Sequence, residues 1–476
     1  MPERENSMQI TRRRFLAGAA GALLLGQLPL GCTADTSGLP TPPSHAPELR
    51  AQEGSVQLTP PEYPETPVWG YGGSVPGPQI RVPQGQRVSR LFVNDLPQPS
   101  TVHWHGVRLV NAMDGVPELT QTVVPPGKSF LYEFDAPDAG TFWYHPHDRA
   151  WEQMARGLYG ALIVEEPEPP FVDHDEVLLL DDWYLTAEAD FHPSFGAAHD
   201  WAHAGRLGNW LTINGEGNWT RTTRQHERWR LRLVNTSNAR VLPLEVKGLA
   251  GWLVALDGQP LSFLQQLSHL QLAPAQRADL IVDVVAQEGE EATLSLLQED
   301  RGILFGTFAV NGVGRADRLP EPEPLPANPV PPLGDLEAAR SASLLMEGGA
   351  MGGMQQAMLD GRNLKWQQLL NRNKFWAMNG VANVPDDPLL NAAVGETIRI
   401  RIINDTVWPH AMHLHGHHFR RVTAEGTHGP LRDTLLLERE ESAEIAFVAD
   451  NPGDWLLHCH MLEHSDGGMK TWLRVA

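Results

Sequence analysis

Three stretches of this chain share one plan, and that repeat rules out a single-core or helical architecture. They are VPQGQRVSRLFVNDL (Val82–Leu96), TTRQHERWRLRLVNTS (Thr222–Ser237) and AAVGETIRIRIINDT (Ala392–Thr406). Each runs from a turn through an alternating strand to a closing asparagine. Self-similarity at this scale marks tandem copies of one unit, and period-two alternation marks half-buried strands. The runs SFLYEFDA, ADLIVDV and AEIAFVA continue the pattern, and 39 prolines with 44 glycines supply the turns that many short strands need. The fold class expected is all-β, with three β-sandwich domains in tandem at residues 65–168, 169–318 and 341–476. The length of 476 residues agrees with roughly 150 residues per domain. RLPEPEPLPANPVPPLGD is too proline-dense for a helix or a central strand, so 319–340 is expected to be an extended linker.

The residues after each copy separate the three. The first leads to HWHG and DAGTFWYHPH, the third to HAMHLHG and NPGDWLLHCH, and the middle one to VLPLEV. The middle copy has lost the histidines and is expected to act as spacer and scaffold. The outer two carry four His-X-His pairs: His103/His105, His145/His147, His413/His415 and His458/His460. Alternation along a strand puts both imidazoles of each pair on one face, as convergent metal coordination needs. Two pairs come from each outer domain, so a shared site forms only where those domains meet. Histidines are rarely buried without partners, and packing alone would not gather eight of them.

The segment HCHMLEHSDGGM (His458–Met469) serves a second site. Cys459 faces away from His458 and His460, and its spacing to His464 and Met469 supplies the thiolate, imidazole and weak thioether of a blue copper electron-transfer centre. His410 lies three residues before His413, hence on the opposite strand face, and joins Cys459, His464 and Met469.

On these motifs, together with GSVPGPQIRV, LDGQP and APAQRADL, the chain resembles the three-domain multicopper oxidases, the family of bacterial laccases and cuprous oxidases. The likeness spans essentially all of the chain after the first 64 residues. It implies Greek-key cupredoxin domains and four copper ions. By motif position, His103 and His413 would hold a type 2 copper. His105, His145 and His460 would hold one type 3 copper, and His147, His415 and His458 the other. His410, Cys459 and His464 would hold the type 1 copper with Met469 as axial ligand, which implies a moderate potential. Cys459, His458 and His460 would relay electrons from a reducing substrate to dioxygen. Asp114, in NAMDGVP, matches the family's acidic residue for proton supply, and its Asp-Gly also suits a turn. The chain departs from the pattern at Ser465, where many bacterial relatives carry Glu. Proton delivery there falls to Asp466, Glu463 or water. His417 and His418 lie outside the ligand pattern and are expected to be structural.

The reductant is less legible. Phenols, aromatic amines and Cu(I) all fit the resemblance. Met346, Met351, Met354 and Met358 precede the repeat strand of the third domain and offer soft thioethers to Cu(I), or simply fill a loop. A non-catalytic periplasmic copper-binding or resistance protein is the alternative, although it would not need the full ligand set. A copper-free scaffold would have lost ligands, and a copper nitrite reductase lacks a strand bridging two sites.

Residues 1–32 read as an export signal. Thr11–Leu16 resembles the twin-arginine motif, followed by a short apolar stretch. Cys32 ends LPLGC, which resembles a lipoprotein cleavage site with Pro29 where Leu is usual. A lipid anchor at Cys32 is therefore weighed against ordinary cleavage nearby. Residues 33–64, rich in Pro, Ser and Thr, are expected to be a flexible tether. Cys32 and Cys459 are the only cysteines, so a copper-bound Cys459 leaves no disulfide. The net charge of -21 argues against a nucleic-acid partner. A monomer is expected.

Overall fold

The computed structural model describes residues 46–298, 301–423 and 426–476. The twin-arginine motif and Cys32 lie outside them. Among the described residues, no helix is long and apolar enough to cross a membrane.

Among the described residues, six of the seven sheets fall into three packed pairs, and Gln356–Leu359 with Arg362–Lys365 forms a separate two-stranded sheet. In the first pair, Thr66–Tyr71, Glu48–Val56, Arg87–Asn94 and Lys128–Asp135 face Ile80–Pro83, Gly160–Glu165, Gly140–His145 and His103–His105. The second pair is built from strands between His174 and Val313, and the third from strands between Arg340 and Val475. Each repeat strand takes the same place: Arg87–Asn94, Arg228–Asn235 and Thr397–Asn404 each lie parallel to the first strand of their unit and antiparallel to a later one. The closing asparagines are equivalent. Asn94 Oδ1 accepts the Leu96 N–H at 3.1 Å, Asn235 Oδ1 that of Ser237 at 3.0 Å, and Asn404 Oδ1 that of Thr406 at 3.1 Å. Each side-chain amide also donates to two carbonyls beyond its strand. An asparagine fits because one buried amide satisfies three backbone groups where a strand ends.

The expected tether at 33–64 needs correction at its far end. Glu48–Val56 is a paired strand, parallel to Arg87–Asn94 and antiparallel to Thr66–Tyr71, with Leu49 and Ala51 buried. ELRAQEGSV contains no proline, and its alternation holds a short period-two signal inside a polar, proline-bearing region. The stretch from Pro320 to Asp335 forms no regular element. It is pinned rather than loose: Asn328 exchanges hydrogen bonds with the Ala139 backbone, both at 2.8 Å, and donates to Gln259 at 3.1 Å.

The outer units share one continuous apolar core, running from Leu49, Phe92 and Trp104 to Ile400, Trp455 and Leu473. The middle unit has its own, centred on Leu231, Leu280 and Phe308. Burial of this kind contributes about 25 cal/mol per Å² of apolar surface. The shared core holds the two histidine-bearing sandwiches face to face.

Candidate metal centre

Register decides which side chains meet. His410–Leu414 pairs antiparallel with Gly453–Cys459, placing Met412 opposite Cys459 and His413 opposite His458. His413 and His458 therefore face one way, and Cys459 with His410 the other. In the first unit, His103 sits opposite His145 and His105 opposite Trp143.

On one side, His410, Cys459 and His464 converge with their ligand atoms within 4.8 Å of one another. Cys459 Sγ is 3.6 Å from His410 Nδ1 and 3.9 Å from His464 Nδ1. The short helix Leu462–Asp466 turns the chain so that His464 returns to the thiol. Met469 is buried, its carbonyl accepting the Cys459 N–H at 3.1 Å and its own N–H donating to His464 O at 3.0 Å. The outer nitrogens are occupied: His464 Nε2–H donates to His203 O at 2.6 Å, and His410 Nε2 meets Thr406 Oγ1 at 2.9 Å. Burial pushes the Cys459 thiol up to about 12 and His464 down to about 4. Neutral imidazoles with inward lone pairs, beside a thiol that ionises only against a cation, form a soft metal site.

On the other side, eight histidines gather as His105/His145/His460, His147/His415/His458 and the pair His103/His413, the last also within reach of His105. His105 stacks on His413 with ring centres 3.7 Å apart, and His103 lies 4.0 Å from His415. Outer nitrogens are again held by the protein. His103 Nδ1–H donates to Asp114 O at 2.8 Å, His413 Nδ1–H to Asp433 O at 2.9 Å, and His415 Nδ1–H to Asp114 Oδ2 at 2.9 Å. His145 Nδ1 and His458 Nδ1 meet the carbonyls of Pro146 and Cys459 at 2.9 and 2.8 Å. These bonds fix tautomers, so the inner nitrogens carry lone pairs. His103 Nε2, His105 Nδ1, His147 Nε2 and His413 Nε2 are buried and unpartnered. His415 Nε2 faces His458 Nε2 at 3.1 Å, and His145 Nε2 faces His460 Nε2 at 3.3 Å. Burial, then mutual repulsion among the rings, holds His147, His415, His458 and His460 well below the ordinary histidine range. Buried lone pairs that point at one another need cations between them, and imidazole suits copper.

Asp114 lies where the sequence motif put it, touching both His103 and His415. Ser465 Oγ stands 3.1 Å from His458 Nδ1. Glu463 is buried against Asn238, and burial lifts its carboxyl to about 7. Asp466 is paired with Lys470. His418 lies 3.7 Å from Asp433, and His417 packs on Trp455.

One expectation changes. The four methionines do not share a surface: Met346 and Met354 are buried in different cores, and only Met351 and Met358 are exposed. Alternation explains Met346, which points inward from the strand Arg340–Gly348. The middle unit contributes no donor to the groups above, and it braces them from outside. His203 and Asn238 hold the Cys459 side, while Arg277 grips Asp433, whose Oδ1 is 3.2 Å from His105 Nε2. Asp433 carried one sequence signal: it precedes the strand Thr434–Leu437 that pairs with the histidine strand. The partnership with Arg277, 156 residues away, had none.

Three family profiles described as multicopper oxidase match residues 53–169, 174–291 and 361–476. The chain is similar to the multicopper oxidase MmcO of Mycobacterium tuberculosis, 28% identical over 432 residues, with 85% of this chain and 82% of the relative covered. It is similar to the crystal structure of Lac15 from a marine microbial metagenome, with 41% identity, a TM-score of 0.74 and coverage of 90% of this chain and 100% of that one. A multi-copper oxidase from Pseudomonas thermotolerans superposes with a TM-score of 0.78 at 33% identity, covering 91% of this chain and 99% of that one. A cysteine–histidine pocket backed onto an eight-histidine cluster, on three sandwiches that each match the same family, places this chain among the multicopper oxidases, as a copper-dependent oxidoreductase.

Proposed function

We propose that the chain oxidises a small reductant one electron at a time and reduces dioxygen to water, holding four copper ions. His410, Cys459, His464 and Met469 would hold the first. His103 with His413, His105 with His145 and His460, and His147 with His415 and His458 would hold the other three. Bound copper would supply the one-electron oxidation at the cysteine centre and the four-electron reduction of dioxygen at the histidine cluster. One observation carries this reading: the two donor sets are joined by consecutive residues, His458, Cys459 and His460, on opposite faces of one strand.

The chain's own groups then have defined tasks. Cys459 is covalently continuous with His458 and His460, so an electron leaves the first set along a path of one residue. Asp114, within 3.2 Å of His103 Nδ1 and 2.9 Å of His415 Nδ1, is the acid positioned to pass protons into the cluster. Ser465 stands beside His458 where the family pattern has Glu, leaving the buried Glu463, Asp466 or water to deliver protons on that side. Phenols, aromatic amines and Cu(I) are the substrate classes, and Met351 and Met358 are the thioethers exposed to Cu(I). The twin-arginine-like leader supports export to the periplasm, with Cys32 as a lipid-anchor position.

Oxygen uptake by copper-loaded protein tests this, with Cu(I) and with a phenol, in wild type and in a Met351→Ala/Met358→Ala variant. Uptake with Cu(I) that collapses in the variant identifies a cuprous oxidase. Phenol oxidation indifferent to the variant identifies a laccase. Full copper loading with no uptake from either donor would leave a copper carrier and end the oxidase reading.

A further inference from the structure

The motifs LDGQP and APAQRADL supply no metal donor, yet they carry Asp257 and Arg277, whose side chains are fully buried at the seam of all three sandwiches. Arg277 donates through Nη1 to Asp433 Oδ1 at 2.8 Å and through Nη2 to Asp433 Oδ2 at 2.6 Å. It is itself fixed on both sides: Nε–H donates to Thr141 O at 3.2 Å, and its backbone N–H to Asp257 Oδ1 at 2.9 Å. The other Asp257 oxygen accepts from Arg432 Nε at 3.0 Å, one residue before Asp433. Room for the guanidinium comes from Gly106 of HWHG. At φ +83, a Cβ there would collide with Arg277 Nη2 and sit 2.6 Å from Asp433 Oδ2.

We propose that Arg277, from the sandwich without metal donors, is a positioning residue for the histidine cluster, holding Asp433 so that its side chain aims His105 and its main chain aims His413. This rests on the reading that the eight histidines hold copper. Asp433 Oδ1 takes the His105 Nε2–H at 3.2 Å and leaves Nδ1 as donor, while Asp433 O takes the His413 Nδ1–H at 2.9 Å and leaves Nε2. Both of those inner nitrogens are unpartnered. One aspartate thereby sets the tautomer of a ring in each of two donor groups, His105 beside His145 and His460, and His413 beside His103. A lone carboxylate would be free to rotate. A planar two-point fork fixes its plane, which a lysine cannot do.

The test compares wild type with Arg277→Met and Arg277→Lys. It reads copper per chain by mass spectrometry, blue absorbance from the Cys459 centre, the paramagnetic resonance signal of copper at His103/His413, and the metal-free melting temperature. Both variants are expected to keep the blue absorbance at full strength. Cluster affinity should fall about 10- to 100-fold in Arg277→Met and by less in Arg277→Lys, with an altered resonance signal in each. Full cluster occupancy and an unchanged signal in the variants would overturn the proposal. So would loss of the blue and cluster copper together, in proportion to a lowered melting temperature. Should Arg277→Met fail to fold, Arg277→Lys decides, and a lysine variant matching wild type in every readout overturns the role. A wild-type chain that takes up no cluster copper would instead overturn the underlying copper reading.

Discussion

The same strand is built three times, and the middle copy differs in kind. Arg87–Asn94 and Thr397–Asn404 alternate between buried and partly exposed positions, as strands with one wet face do. Arg228–Asn235 is buried at all eight positions, although it carries Arg228, Arg230 and Arg232. Its polar face is covered by the neighbouring unit rather than by water. Arg230 pairs with Glu166 at 2.6 Å and Asp279 at 2.7 Å, and Arg232 reaches Asp175 at 2.7 Å and Thr141 Oγ1 at 3.1 Å. Glu166 and Thr141 belong to the first unit or its edge. The outer sandwiches thus give their inward polar positions to neutral imidazoles, and the middle one to charged pairs. The first choice makes a metal site, and the second makes a joint.

Acid should separate the two most strongly. The metal-free outer sandwiches hold imidazoles whose folded pKa values are depressed by burial. The unfolded chain binds protons below about pH 6.5 and the folded one does not, so stability is present above that pH and lost as pH falls. Each such ring contributes a slope of up to about 1.4 kcal/mol per pH unit below it. Denaturant titration of the metal-free protein between pH 7.5 and 5.5 should therefore show the outer transition falling by several kcal/mol. Copper loading should suppress much of the fall, because metal competes with the proton. A pH-independent outer transition would dissolve the contrast.

Next in size is the joint itself. Arg230→Met leaves Asp279 and Glu166 buried with part of their countercharge gone, at a cost of about 3–5 kcal/mol. The loss should appear as an earlier thermal transition with the blue absorbance unaltered, since Arg230 touches neither Asp433 nor His203. A blue band that shifts with Arg230 would mean that joint and metal site are one cooperative unit.

The smallest effect concerns what the copies share. Asn94→Ala, Asn235→Ala and Asn404→Ala each remove the same three hydrogen bonds from a buried strand end, and each should cost about 1–3 kcal/mol. Comparable chemical-denaturation losses would show that the repeat plan is energetically as well as geometrically common. A markedly cheaper Asn235→Ala would mean that the charged joint, not the asparagine, closes the middle strand.

These contrasts track what the sequence makes legible. Parity along a strand is a local property, and it alone separates His410 and Cys459 from His413, His415, His458 and His460. The three asparagines were visible for the same reason, each ending an alternating run. Glu48–Val56 was obscured because a short amphipathic strand lies inside a region whose composition is that of a linker. Gly-rich surroundings hide the inward phase of the strand that buries Met346. The Arg277–Asp433 contact is out of reach, since a contact between units leaves no periodicity in either. The donor residues that gather at the site are legible, and the residues packed behind them across a domain seam are not.

The Arg277–Asp433 clamp also constrains how such a molecule can be recombined. A middle sandwich exchanged for a relative's would bring that relative's residues, in place of Asp257 and Arg277, to a seam whose glycine, aspartate and histidines stayed behind. Grafting the module that holds no metal would then retune the metal site, so chimeras cut at the linkers should inherit their cluster properties from two parents at once.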